Sequence, residues 1–267
     1  MRDIKLIISD IDGTLFTSKE KISPRTANAI NKAREKGILF GVATGRHLDG
    51  LEKLAVDTGM DKLCDIYVGC HGAHIIDKSC NLDKHEEMLS GKDSLEIFNH
   101  FKDLDVNIIV GLDKKVYGYK SDADTEYITK VTGYPEIPLI PEEVFKSAQA
   151  QILITCVPSY MDKVIQHSKK LINKNYRGFC TWETCFEYVP ASVSKSKGIK
   201  EIANIHGFEL ENVLAFGDAD NDLEMLRDCG IGVCMENGLD SAKAISDYIT
   251  SSNDNDGIAK FIEENIL

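Results

Sequence analysis

The sequence predicts an α/β fold, a doubly wound parallel-sheet core with an α+β domain inserted into it. Short apolar runs alternate with helix-period stretches near both ends of the chain, the alternation lapses over the middle, and it then resumes. Parallel strands are buried on both faces and joined by helical crossovers, so they call for this rhythm of continuous apolar runs and amphipathic segments. A chain of 267 residues with 43% hydrophobic content is long enough for one large domain and a smaller one.

The run Leu6-Ile7-Ile8 reads as a short buried strand. Ser23 and Pro24 supply an N-cap and a first-turn proline, predicting a helix through Lys36 that Gly37 stops. Residues 38–43 are the next apolar run. Leu48, Leu51, Leu54 and Ala55 follow at helical spacing and predict a helix ending near Gly59, and residues 66–68 give a third strand. Toward the C-terminus the expected order is helix 199–206, strand 213–216, helix 223–228, strand 231–233, a helix from Ser241, strand 248–250 and a last helix to Leu267, with the polar stretch 251–257 as a surface loop. Residues 82–187 are expected as the insertion, leaving 1–81 and 188–267 as the core. Within the insertion, helical stretches near 94–104 and 161–170 lie among strand candidates such as 107–110 and 116–119. Two connections would join it to the sheet's rim, where open α/β sheets bind ligands, so it reads as a lid.

A formal charge of -12 repels polyanions and argues against nucleic-acid or anionic-membrane binding in the absence of a basic patch. Residues 1–10 interleave charges with an apolar stretch too brief for a signal peptide or a bilayer span, which points to a cytoplasmic protein. None of the eight cysteines forms a C-x-x-C pair, so they are expected as reduced core thiols, Cys180 and Cys185 included. Trp182 and the aromatics of 186–188 are expected in the core of the insertion. No obligate protein partner is evident.

Three polar clusters each follow an apolar run directly. In Asp10-Ile11-Asp12-Gly13-Thr14, residues two apart in an extended segment project to one side, so Asp10 and Asp12 can share a site while Gly13 permits a tight turn. One carboxylate could attack phosphorus while the other handles the leaving-group proton; an Asx turn at the strand end is the plainer alternative. In Thr44-Gly45-Arg46, a hydroxyl and free N–H groups could bind phosphoryl oxygens, or Thr44 could simply cap a helix. In Asp218-Ala219-Asp220-Asn221-Asp222, acidic oxygens suit Mg²⁺, or they complement a helix dipole. Lys195 and Lys197 precede the helix 199–206 and could supply positive charge to the same rim, or be solvated surface lysines.

Taken together and in this order, these clusters resemble the D-x-D-G-T-L, T-G-R, V-S-K and G-D-x-x-N-D motifs of the haloacid dehalogenase superfamily, in the spacing of its Cof-type phosphatases, whose large cap lies between the second and third motifs. The resemblance implies a Rossmann-like core and a Mg²⁺-dependent phosphatase of small phosphorylated metabolites. Asp10 would be the nucleophile, Asp12 the acid/base partner, Thr44 a phosphoryl-oxygen ligand and Lys195 the neutralising cation. Gly45, Arg46, His71 and Asn221 would face the substrate. Asp10, Asp12 (through its main-chain carbonyl) and Asp218 would contact the metal, with Asp222 ordering the metal's water shell and, with Asn221, the lysine. Where relatives often carry Asn-Gly-Ala after the third strand, this chain has His71-Gly72-Ala73; His71 could bind a leaving group or hydrogen-bond locally. Ser196 stands where a glycine is common. His71 and His74, three residues apart, are not expected to share a metal. A phosphosugar mutase and a non-catalytic phosphometabolite sensor are the competing readings, whereas P-loop and dinucleotide motifs are absent.

Overall fold

The structure, a computed structural model, describes residues 3–85 and 88–267. Of the N-terminal stretch 1–10 discussed above, residues 1 and 2 lie outside the described residues. The chain divides into two compact units, one of residues 1–48, 54–85 and 194–267, the other of 49–53 and 86–193.

The first unit opens with β1 (Leu6–Ser9), α1 (Pro24–Glu35), β2 (Leu39–Ala43), α2 (Leu51–Thr58), whose first turn is grouped with the other unit, and β3 (Ile66–Gly69). A hairpin, β4 (His74–Asp77) and β5 (Leu82–His85), completes this half. The second unit contains α3 (Gly91–Phe101), β6 (Asn107–Leu112), β7 (Lys115–Gly118), α4 (Ala123–Thr132), β8 (Glu136–Pro138), α5 (Pro141–Val144), β9 (Ile152–Thr155), α6 (Pro158–Ser168), β10 (Tyr176–Trp182) and β11 (Cys185–Pro190). The first unit then resumes with α7 (Lys195–His206), β12 (Val213–Gly217), α8 (Leu223–Asp228), β13 (Ile231–Met235), α9 (Asp240–Ile245), β14 (Tyr248–Thr250) and α10 (Gly257–Asn265).

The sheet of the first unit runs β14-β13-β12-β1-β2-β3-β4-β5. Its members from β14 to β3 are parallel, and the β4–β5 hairpin adds an antiparallel edge. β1 sits at the centre, with Leu6 in register with Val213 on one side and Leu39 on the other. That placement explains its uninterrupted Leu-Ile-Ile: Leu6 and Ile8 pack with Val213, Ala215, Ile199 and Ile202 in one buried cluster, each such side chain worth roughly 1.5–3 kcal/mol. At the start of α1, Ser23 Oγ accepts the Thr26 N–H at 3.0 Å and Pro24 occupies the first turn, as the sequence suggests.

The second unit is an antiparallel-dominated sheet, β10-β11-β9-β6-β7-β8, in which only β7–β8 is parallel. Ile97, Phe98 and Phe101 of α3 bury against Ile108, Val110, Ile152 and Ile154. It begins after residue 85 and ends at 193, not at 82 and 187, because β5 is hydrogen-bonded to β4 in the first sheet while β11 belongs wholly to the second.

Other expectations are corrected locally. α7 starts at Lys195 instead of 199, since Ser194 Oγ caps it by accepting the Lys197 N–H; its first turn lacks the apolar residue that would have revealed it. The final helix ends at Asn265. Trp182 is about half exposed, whereas Phe186 and Tyr188 are buried as expected. All eight cysteines stand outside any disulfide, but Cys80 is exposed and Cys180 only half-buried. Among the described residues, no helix is long and apolar enough to cross a membrane.

Candidate active site

Three neighbouring strands, β12, β1 and β2, are followed directly by Asp218, Asp10 and Thr44. Adjacent strands lie roughly 4.8 Å apart, so parallel pairing alone brings these residues together at the carboxyl edge of the sheet, around the strand where its order reverses. Asp10 continues the β1 ladder through its N–H to the Phe216 carbonyl at 2.9 Å. The chain then turns sharply: Asp12 (φ -83, ψ 121) and Gly13 (φ 79, ψ -6) have the dihedrals of a type II turn. Glycine is required twice over there, by the positive φ and because a Cβ would lie 2.6 Å from Asp218 Oδ2.

Lys195 is buried to 1% exposure and its ammonium donates to Asp10 Oδ1 at 2.5 Å and to Asp222 Oδ1 at 2.6 Å. Its depth follows from close packing of the first turn of α7. A Cβ on Gly198 would meet Val68 of β3 at 2.5 Å, and one on Gly72, in the turn after β3, would meet the Ser194 carbonyl at 2.2 Å. The Gly198 backbone thus does the job of close approach, while Ser196 donates to Asp228. Lys197 is exposed, so Lys195 is the lysine that reaches the aspartates.

Asp222 Oδ2 accepts the N–H groups of Asp218 at 2.9 Å and Ala219 at 3.1 Å, and its other oxygen takes Lys195. Asp218 Oδ1 accepts the Thr14 hydroxyl at 2.6 Å. Asn221 lies half-buried in the same turn as Asp222. Arg46 grips Asp12 with both arms of its guanidinium, Nε to Oδ2 and Nη2 to Oδ1, each at 2.8 Å. The Thr44 hydroxyl accepts the Arg46 N–H at 3.1 Å. His71 is buried in a left-handed conformation (φ 55, ψ 26) and donates its N–H to the Thr44 carbonyl. Its ring crowds Gly45, where a Cβ would lie 2.6 Å from both Cε1 and Nε2. The structure therefore gathers Asp10, Asp12, Thr44, Gly45, Arg46, His71, Lys195, Asp218 and Asp222 along one edge, with Arg46 turned to Asp12.

Thr14 and Asn237 are participants that sequence reasoning passed over. Asn237, just after β13, donates to the Gly13 carbonyl at 2.8 Å and so braces the turn that aims Asp12. Thr14 was visible inside the first motif, and Asn237 follows a strand end as the other site residues do.

Electrostatics here is dominated by crowded carboxylates. Burial pushes the Asp10 carboxyl well above its ordinary range; Lys195 opposes this, while Asp222, Asp218 and Asp12 add to it. Asp218 is pushed up to about 6, by burial first and Asp222 second, against the pull of the Thr14 hydrogen bond. Burial disfavours the Lys195 ammonium, but Asp10 and Asp222 outweigh it and hold the lysine above its usual value. Asp10, Asp218 and Asp222 each place a carboxylate oxygen within 4.8 Å of the others. One ammonium leaves this cluster with excess negative charge, and its donors are hard oxygens, so the residues fit a divalent cation of the Mg²⁺ type.

Comparison with known proteins agrees with this geometry. Residues 7–262 match the haloacid dehalogenase-like hydrolase family. A Bacillus subtilis relative named 5-amino-6-(5-phospho-D-ribitylamino)uracil phosphatase YwtE is 27% identical over 98% of both chains. Pyridoxal phosphate phosphatase YbhA of Escherichia coli is 26% identical over 98% of this chain and 99% of its own. Among solved structures, a haloacid dehalogenase-like hydrolase from Bacteroides thetaiotaomicron superposes with a TM-score of 0.83 at 25% identity, covering 98% of this chain and 99% of the other. With the family matching nearly the whole length and the central strand ends carrying its acidic cluster, the chain belongs to the haloacid dehalogenase-like hydrolases and is a phosphatase of that family.

Proposed function

We propose that this protein is a Mg²⁺-dependent phosphatase that hydrolyses small phosphorylated metabolites, sugar phosphates foremost, through an aspartyl-phosphate on Asp10. The observation that carries the reading is the placement of Asp10: at a sheet switch point, one oxygen fixed by buried Lys195 and a second carboxylate, Asp218, alongside. The phosphorylated substrates in the names of YwtE and YbhA support the substrate class.

Asp10 attacks phosphorus and the ester oxygen departs with a proton from Asp12; Asp12 then takes a proton from the water that cleaves the aspartyl-phosphate, releasing inorganic phosphate. Both Asp12 oxygens accept from Arg46, so each proton transfer requires Arg46 to release one of them. Lys195 neutralises charge between Asp10 and the transferring group. The Thr44 hydroxyl, which accepts the Arg46 N–H, would donate its own proton to a phosphoryl oxygen. Asp10, Asp218 and the Asp12 main-chain carbonyl would hold Mg²⁺, which when bound supplies the positive charge that lets an anionic nucleophile meet an anionic ester. Asp222, whose oxygens are committed to Lys195 and two backbone N–H groups, orients the lysine and the loop.

The test is phosphate release from a panel of sugar phosphates, nucleotides and pyridoxal phosphate, with Mg²⁺ or chelator, for wild type and Asp10→Asn. Release that needs both the metal and Asp10 is expected. Phosphoryl transfer retained on the sugar would make the protein a mutase, and tight binding without turnover a sensor; either result overturns the proposal.

A further inference from the structure

The β4–β5 hairpin carries a second set of donors that shares no residue with the acidic cluster. His74 and His85 stand directly opposite each other in the antiparallel register. Asp83 lies two residues before His85 on the same strand, so the pleat turns all three side chains to one face. His74 Nε2 and Asp83 Oδ1 are 2.7 Å apart, and the two imidazoles stack with centroids 3.9 Å apart at 22°. One ligand atom from each of the three lies within 4.8 Å of the others.

We propose that His74, Asp83 and His85 form a binding site for a borderline divalent transition metal of the Zn²⁺ class. Two imidazoles and one carboxylate select such ions over Mg²⁺, which asks for oxygen donors throughout. The hairpin supplies three ligands and leaves a position open to solvent, as three-ligand zinc sites do. His74 is the fixed member, its side chain only 4% exposed, whereas Asp83 is 67% exposed and His85 is exposed as well. Ligand atoms around a tetrahedral zinc lie about 3.3 Å apart, given metal–ligand lengths near 2.0–2.1 Å, and rotation of the two exposed side chains closes that gap. His85 is also the last residue before the chain passes into the second unit, so a bound ion would pin the end of β5 to β4.

The test is Zn²⁺ binding to the untagged full-length chain, read by competition with a chromophoric chelator in excess Mg²⁺, for wild type, His85→Ala, Asp83→Asn and Cys80→Ser. The Cys80 variant is included because Asp77, Cys80 and His206 also cluster, on the turn of the same hairpin and the end of α7. One equivalent is expected to bind the wild type, at least about tenfold more weakly in His85→Ala and Asp83→Asn and unchanged in Cys80→Ser. Circular dichroism of each variant checks folding, and Co²⁺ substitution should give ligand-field bands with no thiolate charge-transfer band. Equal affinity in all four proteins, no binding to the wild type below about 0.1 mM, or loss confined to Cys80→Ser would each overturn the assignment.

Discussion

Arg46 holds both carboxylate oxygens of Asp12, at 2.8 Å each, across 34 residues of sequence. The family resemblance gives Arg46 to the substrate, but here it fixes the side chain proposed to move the proton. The two roles separate kinetically. Arg46→Ala should lower kcat by about 10- to 100-fold with little change in KM, less than the roughly 10²–10⁴-fold worth of a proton-transfer group because Asp12 itself is kept. Arg46→Lys should recover only part of that, because an ammonium cannot make the two-pronged contact. A rise in KM alone would return Arg46 to the substrate. Both partners are partly exposed, so unfolding stability should change by less than about 1 kcal/mol.

Lys195 is the counter-ion of a buried trio, and removing it strands two acids. Lys195→Ala should abolish phosphate release and cost roughly 3–5 kcal/mol of stability, measured by urea denaturation without metal. Lys195→Ala combined with Asp222→Asn should cost less than Lys195→Ala alone, since one uncompensated charge is then gone.

Asp218 makes folding sensitive to pH in a defined direction. Its folded value of about 6 is raised above the ordinary 3.8, so the native state binds the proton more tightly than the unfolded chain. The contribution is therefore unfavourable once both states are ionised, and it develops as pH rises from about 4 to about 6, reaching on the order of 3 kcal/mol. Wild type minus Asp218→Asn stability should fall across that window in metal-free buffer. Saturating Mg²⁺ should flatten the difference by restoring charge balance. A flat metal-free difference would contradict the crowding that makes the site suit a cation.

Gly45 and His71 form a steric pair. Gly45→Ala should destabilise by about 1–3 kcal/mol, because its Cβ would press into the imidazole. Shortening the neighbour in Gly45→Ala/His71→Ala should relieve that strain, giving a coupling of about 1 kcal/mol or more in a double-mutant cycle. Simple additivity would mean that the ring is free to move aside.

Much of the core could be read from the chain because its signals are local. Asp10, Thr44 and Asp218 each follow an apolar run, and parallel pairing converts three strand ends into one neighbourhood without further information. The direction of Arg46 could not be read that way, since spacing says nothing of where a long side chain points. Thr14 acts on a residue 204 positions away, a relationship that no window of sequence contains. The β4–β5 hairpin escaped notice because its strands are four residues each and β5, Leu-Asp-Lys-His, alternates between half-buried and exposed without a run of apolar residues. The start of α7 was hidden by Lys-Ser-Lys-Gly, in which Lys195, Ser196 and Gly198 are buried for packing and charge instead of hydrophobicity.

The central position of β1 also sets a timetable. Leu6 emerges from the ribosome long before one of its two sheet neighbours, which begins at Val213. At usual synthesis rates of about 5–20 residues per second, the edge of β1 waits on the order of ten to forty seconds for that partner. Throughout that interval the nascent chain holds an apolar strand with unpaired backbone groups, which is a template for pairing with other chains. Asp10 and Asp218 cannot meet before then, so the two can share a site only once β12 has been made, and chaperone protection of the first strand is most valuable while the inserted unit is still being made.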